Sequence, residues 1–245
     1  MAADPLLVRA RGLWETLAAA PVSFAPSGGL TVVVSPESAL CPPSWAGIVT
    51  LGDAAIATVP TASAAQLFRR VLAEAPAGSL TRPEAVRALL PVTDVLGPAA
   101  LAYVSSDGFR PAPAHDAVEQ LAPGHRGLQE LARSVGPEDA DESGLDEITS
   151  CAFVVREGTE VVAAAGYGVW PAATAHVCVL TAPRRRGRGL ARQTASAAVA
   201  HALAAGLMPQ WRARPPASRR VARALGFREL GSQLSVRLDL DELSR

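Results

Sequence analysis

The chain has 245 residues, of which 49% are hydrophobic, and its 23 basic and 23 acidic side chains give a formal net charge of zero. This composition excludes a chain that is disordered throughout, because such chains are poor in apolar residues and strongly charged. All 23 basic residues are arginine. Chemistry that needs a lysine amine, such as a Walker A site, a Schiff base or a pyridoxal phosphate linkage, is therefore excluded.

The N-terminal part of the sequence alternates helix and strand patterns without a chemical motif. Apolar periodicity and turn residues predict a helix over 5–20, a strand over 30–34, a hairpin of strands 46–51 and 54–59 turned by Gly52-Asp53, a helix over 61–74 and a short helix ending at Pro91. Thr81 and Glu84 have the spacing of a capping box for that short helix. We expect residues 1–98 to form an α/β subdomain with a structural or specificity role.

From about residue 99 the element order changes to a pattern rich in strands. It predicts strands over 101–104, 148–156, 161–170, 176–181, 209–213 and 234–240, helices over 116–121, 124–135, 190–205 and 217–225, and an acidic loop over 138–147. Gly206 and Gly226 are the expected stops of the last two helices. We expect 99–245 to be a second, mixed α/β domain.

The sequence carries no pattern of disulfides, metal ligands or membrane segments. Cys41, Cys151 and Cys178 are far apart, and the four histidines have no metal-ligand spacing. The N-terminus lacks a basic region followed by a long apolar stretch, and no window approaches about 18 uninterrupted apolar residues. We expect a soluble, cytoplasmic protein without a metal site.

The segment after the strand at 176–181 is a glycine- and arginine-rich turn that leads into a helix. First-turn N–H groups of a helix point outward without intrahelical partners, so such a turn binds anions. Gly187 and Gly189 allow a phosphate to approach the backbone closely. A dinucleotide is disfavoured, because Arg192 stands where the third small residue is needed and no acidic residue occurs from Val161 to Arg228. Coenzyme A is the remaining candidate.

Two motifs in this region resemble the GNAT superfamily of acyl-CoA N-acyltransferases. The first appears as Thr181-x-Pro183-x-x-Arg186-Gly187-x-Gly189-x-Ala191, with Arg184 at the Gln/Arg position of the family signature. The second is a strand containing Trp211, a helical segment from Ser218 to Ala224 and then Leu225-Gly226-Phe227. The resemblance covers roughly 99–245 by element order and is sharp over about 174–230. Residues 1–98 are either a degenerate second copy of such a fold or an unrelated cap.

The resemblance implies a mixed, splayed central sheet flanked by helices, with acetyl-CoA in the gap between the strands that end at Thr181 and Ala213. Backbone groups of 179–181 would pair with the pantetheine arm, and the amides from Arg185 to Ala191 would hold the pyrophosphate. The implied cofactor-binding residues are Val179, Leu180, Thr181, Arg184, Arg185, Arg186, Gly187, Arg188, Gly189, Leu190, Ala191, Arg192 and Ser218. We expect the side chains of Arg185 and Arg188 to form a solvated basic surface.

The family's catalytic residues are less well matched. Members of the family commonly protonate the leaving thiolate with a tyrosine in the last helix, where this chain has Ala222, and Pro215 replaces a common polar asparagine. We predict Tyr167 as a substitute acid and His176, with an ordinary pKa near about 6.5, as the base. Wall or packing roles for both side chains are the alternatives. Asp146, Glu147 and Glu160 are the nearest carboxylates in sequence.

The leading hypothesis is an N-acetyltransferase that moves an acetyl group from acetyl-CoA to an amine, either a small molecule or a protein N-terminus or lysine. The alternative is an acyl-CoA-binding sensor or regulatory protein with little or no turnover. Nucleic-acid binding through 184–192 is a third reading, against which the neutral net charge and the 4% aromatic content argue. A homodimer is left open. The acidic run 130–160 either faces a cationic acceptor or forms a solvated loop.

Overall fold

The computed structural model describes residues 4–26, 28–72, 74–113 and 118–239. The chain divides into two compact units, one formed by 1–101 and 229–245 and the other by 102–228. The division into 1–98 and 99–245 that the sequence suggested stays a prediction. The C-terminal strand groups with the N-terminal unit because it pairs with a strand there, Gly231 opposite Leu51.

The first unit contains three helices and five strands within its described residues. They are α1 (Pro5–Leu17), β1 (Gly29–Val34), β2 (Ala46–Leu51), β3 (Ala54–Val59), α2 (Ala62–Leu72), α3 (Pro83–Leu89), β4 (Val92–Tyr103) and β10 (Arg228–Leu238), with the chain leaving the unit near the end of β4 and returning at the start of β10. The strand order is β1-β3-β2-β10-β4, with β1 parallel to β3 and β2 antiparallel to both β3 and β10. The predicted hairpin across Gly52-Asp53 is present.

One local prediction in this unit is wrong. Thr81 does not cap α3, whose N-cap is Arg82 and has no side-chain hydrogen bond. The Thr81 hydroxyl is buried and hydrogen-bonded to the Ser232 hydroxyl of β10 instead. A buried hydroxyl needs a partner, and a tertiary contact supplies it here in place of the helix terminus.

The second unit is a sheet with helices on both faces. Its remaining elements are β5 (Val118–Leu121), α4 (Arg126–Ser134), α5 (Pro137–Ser143), β6 (Ala152–Glu157), β7 (Glu160–Trp170), β8 (Thr174–Thr181), α6 (Leu190–Ala204), β9 (Met208–Ala213) and α7 (Pro216–Ala224). Their strand order is β9-β8-β7-β6-β5, antiparallel from β5 to β8 and parallel between β8 and β9. The predicted mixed α/β sheet flanked by helices is confirmed.

Alternating residues of β8 belong to two different apolar clusters. Val177 packs with residues of α6, α7 and β9, whereas Cys178 and Leu180 pack with residues of α4, β6 and β7. Period-two alternation in a strand with both faces covered produces this division. The arrangement fixes which face of β8 each site residue occupies.

Two predictions for 116–147 need correction. Val118–Leu121 is the strand β5 rather than part of a helix, while residues 116 and 117 lie outside the described part of the chain. The acidic segment predicted as a loop forms α5 followed by a single 3-10 turn over Leu145–Glu147. Pro137 at the first helical position and two acidic residues in the first turn favour that helix. The hydrophobic pattern alone did not reveal it.

Candidate functional site

The second unit's sheet splits between two parallel strands. The register of β8 and β9 runs from Thr174 opposite Met208 to His176 opposite Gln210 and ends there. Each strand then continues, β8 to Thr181 and β9 to Ala213. This confirms the splay that the sequence predicted between the strands ending at Thr181 and Ala213.

A cavity of about 520 Å³ opens where the two strands have separated. Its lining comes from α5, β8, the loop after β8, the first turn of α6, β9 and α7, all of which belong to the second unit. Of the cofactor-binding residues predicted from the sequence, all line it except Arg184 and Arg188. The structure thus brings the two sequence motifs together around one cavity.

The loop after β8 presents backbone donors to this cavity. Its first part is a 3-10 turn in which the amides of Arg185 and Arg186 already donate to the carbonyls of Ala182 and Pro183. Gly187 and Gly189 both have φ of +79°, and a Cβ at either position would meet no atom within 4 Å. These left-handed residues turn the chain into α6, whose first-turn amides have no intrahelical partner. The donors available for an anion are therefore those from 187 onward.

Buried polar atoms around the loop also lack protein partners. The hydroxyl oxygen of Thr181, at the end of β8, and Nε of Arg192, in the first turn of α6, are buried without a hydrogen bond. Both residues line the cavity. Since a buried polar atom without a partner is costly, the site fits a polar ligand that supplies the missing hydrogen bonds.

The side chains of the loop arginines form ion pairs with acidic residues of the same unit. Arg185 and Arg188 both contact Glu157, at 2.5 Å and 2.8 Å, and Arg186 contacts Asp139 at 2.7 Å. A shared carboxylate thus offsets part of the basic charge expected for Arg185 and Arg188, whose side chains stay partly exposed. The acidic and basic runs that separate in the sequence meet in the fold.

The hydroxyl of Tyr167 lies away from the cavity. Its ring is buried against Ala175 and Ala202, and its oxygen is 2.8 Å from Nδ1 of His201 on α6. Burial raises the pKa of this phenol, and the nearby Cys151 raises it further. Tyr167 is not among the cavity-lining residues. Its role as the acid stays a prediction.

His176 stands at the point where β8 and β9 separate. Its Nδ1 is 2.6 Å from Oε1 of Gln210, and its ring stacks on Trp170 with 4.1 Å between the centroids. Burial lowers the pKa of His176 to about 4, and the charge of Arg212 acts in the same direction, while the bond to Gln210 opposes them. His176 does not line the cavity either, and its role as the base stays a prediction.

The second sequence motif forms one wall of the site. Nε1 of Trp211 donates to the Ser218 hydroxyl at 2.9 Å, which ties β9 to the first turn of α7. Ala222, at the usual tyrosine position, is buried among apolar residues that include Leu225 and Phe227. Gly226 has φ of +90°, and a Cβ there would collide with the backbone of Gly108. The glycine of the Leu-Gly-Phe sequence is therefore required by a close backbone contact.

Sequence reasoning missed the acidic wall of the cavity. Asp139, Glu142 and Ser143 of α5 line it, together with Arg212 of β9. Arg212 also places its guanidinium 5.7 Å from the centre of the Trp170 ring. The helix start signals at Gly136-Pro137 are the feature that could have revealed α5.

The described residues form neither a metal-binding cluster nor a membrane-spanning helix. No group of three or more His, Cys, Asp or Glu side chains that could hold a metal ion occurs within the described residues. In the same part of the chain, no helix combines the length and the apolar character needed to cross a membrane.

Comparison with known proteins gives a family match for part of the chain. Residues 149–232 match the family model described as GNAT acetyltransferase, which leaves the N-terminal part unassigned. No curated protein matches the chain.

Similar solved structures include a putative GNAT-family acetyltransferase from Novosphingobium aromaticivorans, with 23% identity, 59% coverage of this chain, 65% of the other and a TM-score of 0.48. Another is a GCN5-related N-acetyltransferase from Kribbella flavida, with 16% identity, 58% coverage of each chain and a TM-score of 0.47. In both cases this chain spans less than two thirds of the solved chain.

The split parallel pair, the glycine loop and the helix that follows it define an α/β domain with a cleft lined by backbone donors and arginine side chains. Residues 149–232 are the part of the chain that matches the GNAT acetyltransferase family model. Acyl transfer is the general activity of that family, and acetyl-CoA is its typical acyl donor.

Proposed function

We propose that this protein is an N-acyltransferase that takes an acetyl group from acetyl-CoA and transfers it to an amine. The observation that carries the proposal is the cavity at the open ends of β8 and β9, bounded by the Gly187–Gly189 turn and the first turn of α6. A strand end, unpartnered amides and a helix N-terminus in one cleft suit a long ligand with a pyrophosphate.

The residues of β8 would bind the pantetheine arm like an added strand. Beyond His176 the side of β8 that faces β9 has no registered partner, so the backbone groups of 177–180 are available to a ligand that carries amides. The Thr181 carbonyl already accepts a hydrogen bond from Nε of Arg186. The amides of 187–191 would bind the pyrophosphate, which is a smaller set than the 185–191 predicted from the sequence. Ser218 and the unpartnered hydroxyl of Thr181 would supply further polar contacts.

When bound, the thioester would supply an acyl group that is activated toward attack by a neutral amine. The protein would exclude water from the cleft and orient the reacting groups. An ammonium group must lose a proton before attack, and His176 and Tyr167 remain the proposed base and acid. The hydrogen bond from Nδ1–H of His176 to the Gln210 oxygen would leave Nε2 as the basic nitrogen.

Thermal unfolding with acetyl-CoA, CoA and NAD tests the binding part of this proposal. A ligand at 100 times its Kd that binds only the folded state stabilises a protein by about 2.7 kcal/mol. We expect the two CoA species to raise Tm and NAD to leave it unchanged. Equal shifts with all three ligands, or none with either CoA species, would refute the assignment of the cleft.

A second candidate is a protein that binds acyl-CoA without turnover. Ala222, which stands where the family usually has a tyrosine, is buried in the core, and Pro215 replaces a polar cofactor contact. Release of free CoA from acetyl-CoA, measured with a panel of small amines and peptides, separates the candidates. Tight binding of acetyl-CoA without amine-dependent release of CoA favours the second candidate.

A further inference from the structure

The helix α5 carries two carboxylates that reach opposite walls of the cleft. Asp139 and Glu142 are three positions apart and therefore lie on one face of the helix. Oδ2 of Asp139 is 2.7 Å from Nη2 of Arg186, in the loop after β8, and Glu142 forms an ion pair with Arg214, which follows β9. Both acidic residues line the cavity. A seven-residue helix thus connects the two walls where the strands have separated.

The two arginines are the kind of group that an anionic ligand would use. Arg186 directly precedes Gly187 and lines the cavity, and its Nε also donates to the Thr181 carbonyl at 3.3 Å. A guanidinium binds carboxylate and phosphate oxygens with the same planar geometry. The carboxylate of Asp139 therefore occupies a donor that a phosphate in this cleft would also seek, while Glu142 holds Arg214, which follows β9 and does not itself line the cavity.

We infer that the carboxylates of Asp139 and Glu142 on α5, together with their ion pairs to Arg186 and Arg214, form a removable anionic strap. The inference rests on the proposed function, because the ligand that competes with the strap is CoA. Without ligand, the strap neutralises both guanidinium groups and ties the two walls together. The phosphates of CoA displace the carboxylate from Arg186, and α5 loosens as the ligand enters.

The exposure of the pairs sets the size of the effect. The side chains of Asp139 and Arg186 are 51% and 48% exposed, and those of Glu142 and Arg214 are 27% and 43% exposed. Ion pairs at such exposure are individually weak, so a ligand with several phosphate charges displaces them readily. The strap is expected to tune the affinity for CoA rather than to abolish binding.

The decisive experiment measures the Kd of CoA by titration calorimetry for the full chain and two double variants. D139N/E142Q removes both strap charges at nearly constant side-chain size. E138Q/D141N makes the same change of net charge on the same helix, at two exposed residues that do not line the cavity. We expect D139N/E142Q to bind CoA about 3- to 10-fold more tightly than wild type, and E138Q/D141N to change Kd less than about 2-fold.

Hydrogen exchange gives a readout that does not depend on a variant. We expect saturating CoA to speed exchange in peptides that cover 137–143 while it slows exchange at 187–191. Slower exchange over 137–143, or equal tightening by the two double variants, overturns the strap. If neither wild type nor D139N/E142Q binds CoA, the proposed function itself fails. If wild type and D139N/E142Q bind CoA with the same Kd, only the strap is refuted.

Discussion

His176 and Gln210 are the last residues that pair in register between β8 and β9, and their side chains are joined by a hydrogen bond of 2.6 Å between Nδ1 and Oε1. The bond lies where the sheet divides, so it fixes the position from which the cleft opens. Gln210 is fully buried, and its other amide atom has no partner. The pair therefore lies at the point where the cleft begins while standing outside the cavity.

The first prediction concerns the pH dependence of stability. The pKa of His176 in the folded protein is about 4, below the value near 6.5 of an unfolded histidine. The unfolded state therefore binds the proton more readily. The stability that neutral His176 contributes to the fold is fully present above about pH 6.5 and is lost as the pH falls toward 4. Between those limits we expect the free energy of unfolding of wild type to fall by up to about 3 kcal/mol more than that of His176→Gln. Denaturant unfolding at a series of pH values measures this, and parallel curves for the two proteins would contradict it.

The second prediction tests the anion site. Gly189→Glu places a carboxylate among the free amides of the loop, and we expect the Kd of CoA to rise about 100-fold or more, because juxtaposed like charges cost several kcal/mol in an interface. Gly206→Glu is the matched control, since Gly206 has a φ of +75° against +79° and similarly open space, but lies after the C-terminus of α6. Calorimetry on both variants, with Tm as a check of folding, gives the comparison. Equal losses of CoA affinity in the two variants would show that the loop is not part of the binding site.

The third prediction separates backbone from side chain in that loop. The guanidinium of Arg188 is paired with Glu157 and does not line the cavity. Arg188→Ala should therefore change the Kd of CoA less than about 3-fold and the stability by less than about 1 kcal/mol, as is usual for an exposed pair. A loss of tenfold or more in affinity would mean that this side chain leaves Glu157 to contact the ligand.

The fourth prediction concerns Tyr167. Tyr167→Phe removes the hydrogen bond to His201 and leaves the ring in place. We expect the free energy of unfolding to fall by about 1 kcal/mol, the usual net value of such a bond, and kcat for CoA release to fall at an unchanged KM, because the phenol is the proposed acid. An unchanged kcat would leave Tyr167 with a packing role only.

The fifth prediction tests the close contact behind the Leu-Gly-Phe motif. A Cβ at Gly226 would collide with the backbone of Gly108, whereas one at Gly206 would meet nothing. Both residues have positive φ, so both alanine variants carry backbone strain of about 1 kcal/mol. Gly226→Ala should cost at least about 2 kcal/mol more than Gly206→Ala because of the collision. Similar unfolding free energies would show that the 105–110 loop moves aside.

The sequence predicted the parts of this molecule that depend on local pattern. Gly187, Gly189 and the short apolar run over 176–181 locate the loop, the strand and the following helix, because those signals act over a few residues. The capping role of Thr81 was wrong, since its hydroxyl is satisfied by Ser232, which is 151 positions away in sequence.

The cavity likewise could be predicted only where local motifs mark its lining. The loop and α7 were recognised from motifs, but Asp139 and Glu142 reach the cleft only through tertiary pairs with Arg186 and Arg214. Similarly, the charges of Arg185 and Arg188 looked solvated until the turn between β6 and β7 brought Glu157 to them. No local pattern in a single sequence encodes which distant charge will neutralise another.

The early end of pairing between β8 and β9 also bears on aggregation. A row of unpaired strand N–H and C=O groups at the rim of a sheet is a template for other chains, and proteins commonly protect such rims with charge, proline or a covering element. Here the unpaired row lies between two strands of the same unit rather than at a rim. Its backbone groups are accessible to a slender ligand but not to a neighbouring sheet, so this unpaired row does not add to the aggregation risk that an edge strand such as β5 carries.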